Sequence, residues 1–108
     1  MDRERFYNLL KTKSTGIVLQ FSEKWCPHCV VMQTYADSEL ASRRLEVYKM
    51  GINNEVYAHL KNKKQVKGIP AMLAYKKDNQ TPYADYSVSG SDEDELAGFF
   101  KWVDKNFT

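Results

Sequence analysis

A chain of 108 residues with 43% apolar and 28% charged side chains is long enough to bury a core of its own without disulfide staples or a structural metal. Its formal net charge of +2 is not the signature of a nucleic-acid binder, and no run approaches the roughly 18 consecutive apolar residues of a membrane span. The two cysteines are therefore free to serve chemistry.

In chain order, Asp2 to Lys11 places Phe6, Leu9 and Leu10 at i, i+3 and i+4, which predicts an amphipathic helix. Gly16 to Phe21 is apolar on both faces and predicts a central strand. Pro27 to Arg44 is helix-compatible, with Pro27 in the first turn, where its missing N–H costs nothing. Cys26 then stands at a helix N-terminus. Glu46 to Ile52 predicts a strand, Glu55 to Lys63 a short helix, and Ala71 to Tyr75 a strand. The turn-rich segment Lys77 to Pro82 joins that strand to another over Tyr83 to Val88, forming a hairpin. Ser91, as an N-cap ahead of Asp92-Glu93-Asp94-Glu95, opens a closing helix with Leu96, Phe99, Phe100 and Val103 on one face. No repeat or low-complexity tract interrupts the chain, so residues 1–108 are expected to form one domain. The opening Met1-Asp2-Arg3-Glu4-Arg5 is charged and no apolar leader follows it, which predicts a cytoplasmic protein. In a reducing compartment a Cys-x-x-Cys pair is catalytic or metal-binding rather than a static staple.

The order α-β-α-β-α-β-β-α, with Trp25-Cys26-Pro27-His28-Cys29 after a buried strand and Gly68-Ile69-Pro70 before the third strand, resembles the thioredoxin family nearly end to end. The resemblance implies an α/β thioredoxin-like fold, a mixed sheet flanked by helices, and thiol–disulfide exchange with protein substrates and no cofactor. Its partners would be protein disulfides or dithiols and a reductase or oxidase, with neither nucleic acid nor membrane. The family's usual strand ahead of the first helix has no counterpart after Met1. Four strands are then expected, with Glu46 to Ile52 at an edge where Lys49 discourages pairing. A monomer is expected, though a second chain could cover that edge.

A thiolate, not a thiol, attacks a disulfide, and the positive end of a helix favours the thiolate. Cys26 is thus the expected nucleophile. Cys29, one turn further in, is the expected resolving thiol. Between them stand Pro27 and His28, where thioredoxins usually carry Gly-Pro; the pair resembles that of bacterial periplasmic disulfide oxidants. His28 is expected to hydrogen-bond the Cys26 sulfur and to tune its equilibrium. Cys26, His28 and Cys29 could also ligate a metal, but His59 is the only other histidine and no second Cys-x-x-Cys completes a zinc site, so none is expected.

By resemblance, Ile69 and Pro70 form a cis bond beside the cysteines, where the Ile69 backbone would pair with an extended substrate. Trp25 would be an apolar shelf, and Gly90 a gap through which the partner approaches. Gln20 occupies the position of the family's buried acid, and Lys49 that of the lysine paired with it. Here Lys49 is expected to meet an amide and to leave its charge free to favour a thiolate at Cys29. The basic run Lys61 to Lys67 is read as a solvated helix end. An alternative function is a redox-regulated binding module without turnover, and a further one is a small structural subunit. The direction of exchange and the identity of the substrate stay open.

Overall fold

The computed structural model describes residues 1–107. Its elements are α1 (Arg3–Thr12), β1 (Ile17–Phe21), α2 (Pro27–Leu40), β2 (Glu46–Met50), α3 (Glu55–Asn62), β3 (Ala71–Tyr75), β4 (Tyr86–Val88) and α4 (Glu93–Asn106). The four strands lie in the order β2-β1-β3-β4. β1 runs parallel to β2 and antiparallel to β3, and β4 runs antiparallel to β3. The sheet is mixed, and β2 stands at one edge.

β1 and β3 are buried along their whole length, as unbroken apolar runs in the middle of a covered sheet must be. Because successive strand side chains alternate faces, the two strands feed two separate cores. Ile17, Leu19 and Phe21 of β1 pack with Phe6 and Leu10 of α1 and with Val56 and Leu60 of α3. On the other face, Val18 of β1 and Met72 of β3 pack with Met32 and Ala36 of α2 and with Leu96, Phe99 and Val103 of α4. Burying each of these large side chains stabilises the fold by about 1.5–3 kcal/mol before entropy is counted.

Several boundaries differ from the sequence expectation by a residue or more, β2 ending at Met50 rather than Ile52 among them, and three differences have a visible side-chain cause. α2 ends at Leu40, not Arg44. Arg43 leaves the helix axis to bind Glu39 and both carboxylate oxygens of Asp104 on α4, at 2.7–2.9 Å. β4 starts at Tyr86 because Asp85 is held in the preceding turn, where its carboxylate accepts from the Lys76 N–H and the Asn79 amide. The cap of α4 is Asp92 rather than Ser91: its Oδ1 accepts the Asp94 N–H at 2.6 Å. The Ser91 hydroxyl meets that of Ser89 instead.

Candidate active site

The turn after β1 is tied down before the cysteines begin. The Ser22 N–H donates to the Met50 carbonyl, and the Glu23 carboxylate accepts the Ile52 N–H at 2.8 Å, which fastens the turn to the end of β2. Cys26 then takes an extended conformation and caps α2, its Sγ accepting the Cys29 N–H at 3.3 Å. A thiol in that position borrows one of the unpaired donors of a helix N-terminus. Pro27 fills the first helical position, where it removes no hydrogen bond. Both cysteines are free thiols. Cys26 is 7% exposed and Cys29 1%, so both are buried and Cys26 is the less completely covered.

That difference sets their chemistry apart. Burial and a hydrogen bond with the Cys26 side chain push the Cys29 thiol up to about 11; a hydrogen bond with the Glu23 backbone opposes them, and the nearby charges of Cys26 and Glu23 add smaller upward pushes. His28 is exposed in the first turn of α2, while the hydrogen bond to the Cys26 sulfur comes from the Cys29 backbone rather than from imidazole. The expected His28 contact is therefore replaced by the cap of the helix itself, which reaches the sulfur without any side-chain ordering.

Gln20 is fully buried on β1, and neither its amide nitrogen nor its carbonyl oxygen has a hydrogen-bond partner. It shares the face of Val18, two residues further along the strand. α2 packs over that face, and Cys29 precedes Met32 by one turn. The expected approach of Lys49 does not occur. Although Lys49 lies opposite Gln20 in the β1–β2 register, its Nζ donates to Asp37 at 2.8 Å with its side chain 44% exposed. An ammonium beside a neutral amide would be buried without compensation, whereas at the rim it keeps both a carboxylate and water.

The Ile69–Pro70 bond is cis. It forms part of a groove of about 890 Å³ that His28 also lines, so the active-site turn and the cis-proline loop meet there. Trp25 and Cys26 stand outside the groove lining, and Trp25 projects with 69% exposure. Gly90 does not open a gap for a partner. It is buried with φ +81°, and a Cβ there would come within 2.7 Å of the Met32 sulfur. Its missing side chain makes room for α2. We expect Gly90→Ala to lower stability by about 2 kcal/mol, from left-handed strain plus overpacking, read as a lower urea midpoint with an unchanged slope.

The sequence reading missed the two sides of this groove. Lys64 and Lys67 read as a solvated helix end, and Asp92 and Glu95 as an acidic first turn. Both readings hold locally, yet the fold brings both pairs to one groove. Nothing in local spacing carries that signal. Among the described residues, no three His, Cys, Asp or Glu side chains converge as metal ligands, and no helix is long and apolar enough to cross a membrane.

A mixed four-stranded sheet between two helical layers, with a dithiol at the head of α2, defines a thioredoxin-like protein. The chain belongs to the thioredoxin family, whose sequence pattern matches residues 1–102. It is 28% identical over 85 residues to Thioredoxin 2 of Plasmodium falciparum, a match covering 79% of this chain. The matched region spans only 54% of that relative. In structure it is similar to Trichomonas vaginalis thioredoxin, with TM-score 0.74, 18% identity, and 94% and 91% of the two chains covered. It is also similar to thioredoxin f2 solved in complex with ferredoxin:thioredoxin reductase, with TM-score 0.70, 16% identity, and 96% and 92% covered. At such identities these two structures establish the fold.

Proposed function

We propose that this chain is a thiol–disulfide oxidoreductase acting on protein disulfides through Cys26 and Cys29. The observation that carries the reading is the asymmetry of the pair: Cys26, buried but the more exposed of the two, with its sulfur on a helix N–H, and Cys29 sealed one turn below. As a thiolate, Cys26 attacks one sulfur of the substrate. A Cys26–substrate S–S bond forms, the substrate S–S bond breaks, and the leaving thiolate takes up a proton. Cys29 then loses its proton and attacks the Cys26 sulfur. This closes the Cys26–Cys29 disulfide and expels the second substrate thiolate, so two electrons pass to the substrate. In the opposite direction the same steps oxidise a dithiol.

Ile69 and Pro70 are the residues we assign to the substrate backbone, and Trp25 is an apolar contact for its flank. His28, exposed in the first turn of α2, is the residue we assign to tuning the Cys26 equilibrium, because whatever stabilises the thiolate favours the reduced form and makes the disulfide a stronger oxidant. The cytosol is the compartment we propose, where the pair would be kept as thiols. The electron partner we propose is a reductase, a role that the complex of thioredoxin f2 with ferredoxin:thioredoxin reductase suggests by analogy.

A second reading has one observation in its favour. The buried Cys29 thiol, with only the neutral Gln20 amide on the strand beneath α2, slows release of a captured partner, which suits a redox-regulated binding module. Incubating the reduced chain with excess disulfide-bridged peptide and dithiothreitol separates the two. Many product equivalents per chain, above the rate with dithiothreitol alone, identify an oxidoreductase. A single captured equivalent identifies the binding module, and no reaction sinks both.

A further inference from the structure

The groove beside the cis-proline has walls of opposite charge. Lys64 and Lys67 line it from the segment between α3 and β3, and Asp92 and Glu95 line it from the start of α4. None of these four side chains takes part in the ion pairs formed among the described residues, which join Arg3 to Glu55, Arg43 to Glu39 and Asp104, and Lys49 to Asp37. The walls therefore stand apart without neutralising each other.

Each wall is held in place by its backbone. Lys64 adopts φ +60°, a left-handed conformation that a glycine would take at lower cost, by about 1 kcal/mol. It closes the end of α3, where the Gln65 N–H returns to the Leu60 carbonyl at 2.8 Å. The Gln65 side-chain oxygen Oε1 in turn accepts the Ala84 N–H, fixing this segment against the chain ahead of β4. Opposite, Glu95 accepts the Ser89 hydroxyl at 2.7 Å, and one Asp92 oxygen is engaged in capping α4. Side-chain entropy is thus spent in advance on the acidic wall, which favours a partner that brings its own cation.

We propose that the groove selects extended protein segments in which the disulfide cysteine has an acidic residue on one side and a basic residue on the other. The acid lies against Lys64 and Lys67, and the base lies against Asp92 and Glu95. This rests on the exchange reading of Cys26 and Cys29 and adds a substrate class to it. Exposed pairs of this kind contribute little singly, about 0.5 kcal/mol each, so two acting together set a preference of about five-fold.

Three disulfide-bridged peptides test this: Glu-Cys-Lys, Lys-Cys-Glu, and Gln-Cys-Gln within one otherwise fixed sequence. The two charged orders have equal composition and net charge, so general electrostatic steering cannot rank them. The wild type is expected to reduce one charged order about five-fold faster than the other, with the neutral peptide between them. The preference should shrink at 0.5 M salt. In Lys67→Glu/Glu95→Lys the ranking should invert. Equal rates for the two orders in the wild type, or a ranking that survives the swap, would overturn the charge assignment while leaving exchange intact. A higher rate with glutathione disulfide than with any peptide would overturn the choice of a protein segment as the occupant. If no peptide is reduced at all, the exchange reading fails and the inference falls with it.

Discussion

Replacing Cys26 by Ser abolishes reduction of a disulfide by this chain, whereas replacing Cys29 by Ser leaves a chain that attacks once and stops. The expectation follows from geometry rather than from the motif alone. Of the two, Cys26 is the more exposed and carries a helix N–H on its sulfur, and only Cys29 is positioned to displace a partner bound there. In Cys29→Ser the mixed disulfide has no internal thiol to break it, so it accumulates and is visible on a non-reducing gel. A serine hydroxyl at position 26 is not ionised near neutral pH and forms no such adduct. Equal trapping by both variants, or by neither, would reverse or remove the assigned roles.

Gln20→Glu accelerates release of that mixed disulfide by at least ten-fold near neutral pH. Burial holds the Cys29 thiol above its ordinary value, and this part of the shift persists once Cys26 is bonded to a substrate, so only a small fraction of Cys29 is thiolate at neutral pH. The wild-type resolution rate should therefore climb as pH rises above neutrality. Gln20 cannot shorten that climb, because an amide takes up no proton in this range. A carboxylate of the same length on the same buried strand supplies a base, and general-base catalysis commonly contributes 10²–10⁴-fold. Burial raises the glutamate above its ordinary value, so the variant's profile should gain an inflection where that acid ionises. The stability sign is also fixed. A carboxyl raised on folding helps the native state only while protonated, so Gln20→Glu should lose stability as pH rises through its folded-state value. Gln20→Leu provides the control: it removes two unpaired buried polar atoms, should stabilise the fold by about 1–3 kcal/mol, and should leave the wild-type resolution profile in place. Stopped-flow profiles of wild type and Gln20→Glu that superimpose across pH 6 to 10 would show that position 20 plays no part in proton transfer.

The sequence made some of this legible because the signals were local. The unbroken apolar run of β1, Pro27 after Cys26, and the spacing of Leu96, Phe99, Phe100 and Val103 each encode one element by its own periodicity or capping, and the structure forms each of them. What failed depended on competition between groups that no single periodicity ranks. Lys49 had the register to reach Gln20, but Asp37 offered it a carboxylate at the rim. Ser91 and Asp92 were both competent caps, and the carboxylate prevailed while the hydroxyl went to Ser89. The end of α2 was hidden because Arg43 is a good helix former whose side chain is claimed by Asp104, 61 residues away. The groove was illegible for the same reason: its two walls come from segments that share no periodicity.

The close fit of Met32 against Gly90 ties the helix that carries the thiols to the loop that bounds the groove. Neither can shift without the other. Rigid coupling of this kind means that docking releases little conformational freedom, so association carries a small entropic penalty and needs no slow rearrangement. Discrimination among partners must then be expressed in how fast they leave rather than in how the protein reshapes around them. A target that fits poorly departs before the rare Cys29 thiolate attacks, and the small thiolate population of that buried group becomes a clock against which every encounter is timed.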